Sequence, residues 1–163
     1  MKLARSILIG LAIAVGLQSV YYYPQLPTTL ASHFDGAGVP NGWSARWLFF
    51  SIHFAIAALL LIIFLGIPLL VNRLPKERIN LPNKDYWLAP ERRHQTLTFI
   101  QAQFLWLGVA SLSLSLYIMQ LVIQFNLQTV TRLSITIVWV LVAYSVFVLI
   151  WLVRFIRKFA KIP

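Results

Sequence analysis

Leu48–Val71 reads LFFSIHFAIAALLLIIFLGIPLLV, a run with no charged residue and with Ser51 and His53 as its only polar side chains. A bilayer hydrocarbon core of about 30 Å takes about 20 apolar helical residues, so this run alone is long enough to cross it. Three further stretches meet the same requirement, giving expected spans over about residues 6–23, 48–71, 97–123 and 133–153. Composition agrees, because 60% hydrophobic and only 11% charged residues in a chain of 163 leave too little polar surface for a soluble globule. No period-2 alternation suggests a barrel, and helices alone then satisfy the backbone at membrane depth. The expected fold is an all-α membrane protein, a four-transmembrane-helix bundle forming one domain over residues 1–163. An ordered extracytoplasmic loop (24–47) would join helices 1 and 2, and a cytoplasmic loop (72–96) helices 2 and 3.

Orientation follows from the basic residues in the short connections, which are retained preferentially in the cytoplasm. Lys2 and Arg5 precede the first span, Arg73, Lys76, Arg78, Lys84, Arg92 and Arg93 fill the second connection, and Arg154, Arg157, Lys158 and Lys161 follow the last. Only Arg46 and Arg132 fall on the other side, so both termini are expected in the cytoplasm of a bacterial inner membrane. The formal net charge of +10 is then accounted for by topology and by attraction to a lipid bilayer with anionic headgroups. No nucleic-acid partner is expected, because the basic residues sit beside membrane ends and form no separate basic domain.

A cleaved signal peptide is the competing reading of the first span. Small residues should then follow the apolar core, but Gln18, Ser19 and Val20 lead into Tyr21, Tyr22 and Tyr23, a better match to an interfacial aromatic anchor. Retention of the span is therefore expected. The absence of cysteine removes disulfides, thiolate metal sites and cysteine nucleophiles.

The connection Leu26–Trp47 reads LPTTLASHFDGAGVPNGWSARW. Pro24 and Pro27 end the first helix, since each lacks an amide proton and restricts the residue before it. Asp35-Gly36, Gly38 and Pro40-Asn41-Gly42 supply turn chemistry, which predicts a compact loop. Phe34, Trp43 and Trp47 would settle it on the headgroup region, and Ser44 is an expected N-cap for the second span. His33, Phe34, Asp35, Gly38 and Trp43 are thus the candidate recognition residues for a peptide or membrane-protein partner.

Leu26-Pro27, His33-Phe34-Asp35, Gly38, Pro40 and Gly42-Trp43, in that order after a first transmembrane span, resemble the bacterial membrane domain family of unknown function numbered 1648. A second similar stretch is Leu81-Pro82-Asn83-Lys84-Asp85-Tyr86-Trp87-Leu88-Ala89-Pro90-Glu91-Arg92-Arg93, so the likeness extends to about Arg93. Members often carry Val-Pro before the histidine and Asp after the later proline, where this chain has Leu30-Ala31 and Asn41. The family also supplies the N-terminal part of an immunity protein against a sporulation-delaying toxin. The resemblance implies immunity, sensing or signalling in a membrane, with Asn83, Asp85, Tyr86, Trp87, Glu91, Arg92 and Arg93 as its cytoplasmic motif, and it implies no chemistry.

Three chemical readings remain. His33, Asp35 and His53 could ligate zinc with an open position, but their spacing matches no metal-site pattern. Side-chain to backbone bonds that tie down the loop are the preferred account, so no metal and no cofactor are expected. In the third span Ser113, Tyr117, Gln120 and Gln124 share one helical face, at the same depth as His53. This polar stripe would either glue helices together or line a pocket with His53, as a small carrier or channel component would require. On the inner side Pro90 and Glu91 suit the first turn of a helix running into the third span, with Arg92 and Arg93 reaching for lipid phosphates. No Gly-x-Ser-x-Gly, His-Glu-x-x-His or phosphate loop is present, and no intramembrane carboxylate, so the protein is not expected to be an enzyme.

The orientation is directly testable in this cysteine-free chain. A single Ala37→Cys substitution should react with a membrane-impermeant thiol reagent in intact spheroplasts. Labelling only after permeabilisation would reverse the assignment.

Overall fold

The computed structural model describes residues 1–130, 132 and 135–162. Its elements are α1 (Lys2–Tyr22), β1 (Thr29–Phe34), β2 (Pro40–Ala45), α2 (Arg46–Leu61), α3 (Ile67–Val71), α4 (Lys84–Trp87), α5 (Pro90–Asn126) and α6 (Thr136–Ala160). Among the described residues, four helical stretches are long and apolar enough to cross a membrane: Lys2–Gln25, Arg46–Val71, Pro90–Asn126 and Thr136–Ala160. The chain is a multi-pass membrane protein.

The helices overrun several sequence-based limits for local reasons. Pro90 occupies the first turn of α5, where its missing amide costs nothing, and Glu91 follows it, so the last residues of the expected 72–96 loop are already helical. At the other end of the chain Arg154, Arg157 and Lys158 continue α6 to Ala160, because long basic side chains are good helix formers that reach toward the interface from a helical backbone. Leu133 and Ser134, at the expected start of the last span, lie outside the described residues.

The second span is one continuous run only in sequence. Between α2 and α3, Ile62–Gly66 forms a π-helical turn, immediately before Pro68, which cannot donate an amide bond to the preceding turn. Such wide turns re-route the backbone bonds that a proline disrupts, and the Pro68 carbonyl accepts a bond from Gln101 Nε2 at 3.2 Å. Just above, Phe64 lies against Gly108 of α5. A Cβ built on Gly108 would stand 2.5 Å from Phe64 Cβ, so the two spans meet there at a distance only glycine permits.

Three apolar clusters hold the bundle. Ala4, Leu8 and Val15 of α1 pack with Ala57, Leu105 and Leu112 at mid-depth. Leu26, Leu30, Phe50, Met119 and Ile123 pack beneath the 24–47 connection. Ile79, Leu81, Leu88, Leu97 and Phe159 close the basic end. Tyr21 and Tyr23 are exposed, whereas Tyr22 turns inward and its hydroxyl accepts a bond from Gln120.

The 24–47 connection is not irregular. It contains an antiparallel hairpin of β1 and β2, adding a two-stranded sheet to the helical fold. Alternation in Thr29–Ala45 is too weak to announce strands, and tertiary bonds decide the outcome. Asn126, the last residue of α5, donates from Nδ2 to the Ala31 carbonyl at 2.9 Å and accepts the Ala31 amide on Oδ1 at 2.8 Å. It thereby supplies β1 with a third strand's worth of bonds. Arg46 donates to the carbonyls of Tyr23 and Leu26 at 2.9 and 2.6 Å and stacks 4.5 Å from the Tyr23 ring centroid, closing the base of the hairpin. Ser44 does not cap the second span as expected: β2 runs through it, Ala45 is the N-cap residue, and the Arg46 amide bonds to Thr28 O at 2.8 Å.

Gly108→Ala should lower thermal stability in detergent by about 1–3 kcal/mol, the usual cost of overpacking. Gly10→Ala, with no atom within 4 Å of the added Cβ, should leave it unchanged or higher. Equal melting curves for the two variants would contradict the close Phe64–Gly108 crossing.

Candidate functional site

The hairpin has a defined tip. Asp35 Oδ1 accepts the amides of Ala37 and Val39, both at 2.9 Å, while the Asp35 amide donates to Val39 O at 2.9 Å and the Gly38 amide to Asp35 O at 3.0 Å. Gly38 has φ 75°, a conformation that side-chain-bearing residues avoid. The Asp35 carboxylate is thus engaged with its own turn. Phe34 packs edge-on against Phe125 of α5, with ring centroids 4.9 Å apart. Gly42 admits the His33 side chain, since a Cβ there would lie 3.1 Å from His33 Cβ. His33 and Trp43 are exposed.

The strands are out of simple register. Ala31 pairs with Trp43 and His33 with Gly42, so Ser32 is the extra residue of a bulge. Strict alternation would send Ser32 and His33 to opposite faces, but a bulge re-aims side chains, and both line the same cavity beneath the hairpin. That cavity has a volume of about 790 Å³, within the range of small-molecule sites, about 300–1,000 Å³. Its upper wall is Ser32, His33, Trp43 and Ser44. One side is the α2 face carrying Ile52, His53, Ile56 and Leu60, and the other the α5 face carrying Ser111, Ser115, Ile118 and Met119. Phe64 lines it below, where the Gly108 crossing brings α2 and α5 together. From α6 only Tyr144 contributes, its hydroxyl 2.6 Å from Ser111 Oγ. The wall is therefore thinnest toward α6. A second cavity of about 380 Å³ adjoins it through Ser32, His33, Ile118 and Val122, and extends under Asp35–Gly38 to the start of α6.

Three residues that line the large cavity each bury a polar atom without a partner in the protein: Ser32 Oγ, Ser44 Oγ and His53 Nε2. His53 is 6% exposed. An unmet buried polar atom costs about 1–3 kcal/mol, and among the described residues the fourth such atom is Gln18 Oε1, away from this cavity. Ser32 and Ser44 escaped notice in the sequence because serine is unremarkable in a turn-rich loop, and only the bulge and the strand pairing bring them over the cavity.

The polar stripe of the third span goes elsewhere. Gln120 accepts a bond from Gln18 Nε2 at 2.9 Å and donates to Tyr22 OH at 3.2 Å, so it packs against α1. Ser113 and Tyr117 are exposed, and Gln124 is partly buried near the end of α5. None of the four lines the His53 cavity. The reason is angular: Ser111 and Ser113 are two residues apart, hence about 200° around a helix of 3.6 residues per turn, and the structure turns the Ser111–Ser115 face toward His53. His53 and Gln120 do not form one polar site. His33, Asp35 and His53 also do not form a metal centre, as no group of three His, Asp or Glu side chains converges among the described residues.

The Leu81–Arg93 motif binds backbone. Asn83, at φ 51°, donates from Nδ2 to the carbonyls of Phe159 and Ala160, both at 3.0 Å, and Trp87 Nε1 donates to Phe159 O at 3.1 Å. These bonds satisfy carbonyls at the C-terminus of α6 that have no helical partner. Arg93 bonds the chain just beyond the second span, donating to Leu74 O at 2.6 Å and Asn72 O at 3.4 Å. Arg92 donates to Tyr86 O at 3.0 Å and lies 3.9 Å from the Tyr86 ring centroid. Both arginines thus bond protein carbonyls through part of their guanidinium groups. Asp85 pairs with Lys76 at 3.3 Å across exposed surface, and Glu91 sits in the first turn of α5.

Residues 7–57 match the model of a family described as a domain of unknown function, DUF1648. The matched segment takes in most of α1, the entire hairpin and α2 as far as Ala57, so it includes His53, while Leu81–Arg93 lies beyond it. No curated protein and no solved structure matches the chain. The match thus covers the roof of the cavity and the upper part of its α2 wall, while the α5 wall lies outside it.

Proposed function

We propose that the protein is a non-enzymatic receptor of the bacterial inner membrane, whose hairpin and underlying cavity recognise a membrane-partitioned ligand at the extracytoplasmic face, in an immunity or sensing role. The observation that carries this reading is the cavity itself, roofed by a hairpin pinned through Asn126 and left with partnerless polar atoms at its hairpin end. Polar groups at membrane depth that face a cavity are a functional signal. Exposed Trp43 lines the site as an interfacial aromatic suited to a partner that arrives along the headgroup layer.

A non-enzymatic role is favoured by what surrounds His53. Its Nε2 makes no bond to either serine, and no carboxylate lines the large cavity to orient an imidazole base. Carrier function is disfavoured by the separation of His53 from Gln120, which is bonded to α1. The twelve basic residues on the face opposite the hairpin support the orientation that places the hairpin outside.

Native mass spectrometry of the protein released from membrane vesicles tests the reading. Wild-type chain should carry a bound species that Ile118→Trp, filling the cavity, and Asn126→Ala, releasing the hairpin, each reduce about tenfold, equivalent to 1.4 kcal/mol. Gln120→Ala should leave it unchanged. No bound species in the wild type, or equal retention in all variants, would contradict recognition at this cavity.

A further inference from the structure

We propose that Ser32, Ser44 and His53 form the head-group end of a binding site for a single-chain lipid with an uncharged, hydroxyl-bearing head, of the monoacylglycerol type. This rests on the cavity being the recognition site and names what it takes. Ser32 and Ser44 come from opposite strands of the hairpin and His53 from the second turn of α2, yet all three line one cavity with a buried polar atom unpaired. Their chemistry is complementary to a diol. Each serine hydroxyl donates one bond and accepts others, and a neutral imidazole nitrogen either donates or accepts, so a head with two hydroxyls can satisfy all three.

Charge selects against other heads. No Asp, Glu, Lys or Arg lines the large cavity. A phosphate or carboxylate drawn into it would lose water and meet no permanent cation, only the imidazoles of His33 and His53, which is costlier than burying a hydroxyl that finds hydrogen bonds.

Shape and polarity select the tail. Below His53 the wall is Ile56 and Leu60, four residues apart on one face of α2, and then Phe64 of the π-helical turn that follows. From His53 to Phe64 this slot runs about 16 Å, at about 1.5 Å per residue. The hydroxyls of Ser111 and Tyr144 are bonded to each other and offer little to a second polar group. A peptide threaded into the slot would bring amides and carbonyls into a region with few free partners, each unmet group costing several kcal/mol in an apolar setting. A hydrocarbon chain brings none, and the thin α6 wall gives it a lateral entry from the bilayer.

The test uses the full chain in phosphatidylcholine nanodiscs doped with a monoacylglycerol carrying a photoreactive diazirine on its tail. Crosslinks should map to the α2 and α5 residues that line the large cavity. Unlabelled monoacylglycerol should compete, and a fatty acid of equal chain length at pH 8 or a lysophosphatidic acid should compete at least tenfold less well. His53→Ala, Ser32→Ala and Ser44→Ala should each weaken labelling roughly threefold to tenfold, the worth of one hydrogen bond, with His53→Gln recovering part of the loss. Competition on the wild-type chain decides the head-group charge even where a variant fails to fold.

Better competition by the anionic lipids would overturn the neutral-head assignment while leaving recognition at the cavity in place. Cavity labelling indifferent to His53, Ser32 and Ser44 would overturn their role. No lipid label in the cavity, with the wild type still retaining a species that Ile118→Trp expels, would overturn the lipid assignment alone. No label and no retained species would overturn both readings.

Discussion

Asn126 bonds both backbone groups of Ala31, and the arrangement of the hairpin end depends on that pair. A two-stranded hairpin is marginal by itself in water. Here a side chain at the end of a membrane-spanning helix acts as a further strand, and Leu30, one residue away, drops into the cluster of Leu26, Phe50, Met119 and Ile123. The same amide donates to Val122 O, so Asn126 is held from its own helix while it holds the strand. The bulge at Ser32 then lies over the space between α2 and α5, and without this anchor the cavity would have walls and no roof.

The opposite end of the bundle is organised by the same physical rule with different residues. Helix ends leave carbonyls unpaired, and in this chain Asn83 and Trp87 supply the missing donors to the end of α6, while Arg93 holds the connection that follows the second span. The consequence for α6 is asymmetric. Phe159 is buried against Trp87 and Phe99, and Trp151 Nε1 reaches Gln103 Oε1 at 3.1 Å, whereas beside the large cavity α6 contributes Tyr144, bonded to Ser111. The fourth span is clamped at the basic end and adds one side chain to the lining of the large cavity, which makes the α6 side the natural lateral entry.

The spans were legible because apolar length is a one-dimensional property: Leu48–Val71 needs no partner to be read as membrane-crossing. What a sequence does not carry is rotation and register. The Ser113–Gln124 stripe was readable as one face, but nothing in its spacing said that this face meets Gln18 and Tyr22 of α1 while Ser111 and Ser115 turn to His53. Likewise His33 and Asp35 stood out as titratable groups, yet Asp35 serves its own turn, and the unpaired atoms at the cavity belong to His53 and to two serines, one on each strand of the hairpin. The bonds of Arg92 and Arg93 to the Tyr86 and Leu74 carbonyls were not legible either, because only the fold brings those carbonyls within their reach.

Hydrogen exchange at the hairpin tests most directly whether Asn126 holds the roof in place. In the wild-type chain in nanodiscs, residues 29–34 should exchange slowly, and Asn126→Ala should accelerate them by one to two orders of magnitude, as loss of two hydrogen bonds worth about 0.5–1.5 kcal/mol each requires, with α5 at residues 100–115 unchanged. Equally fast exchange of residues 29–34 in both proteins would show that the hairpin is not anchored there, and the cavity would lose its defined upper wall.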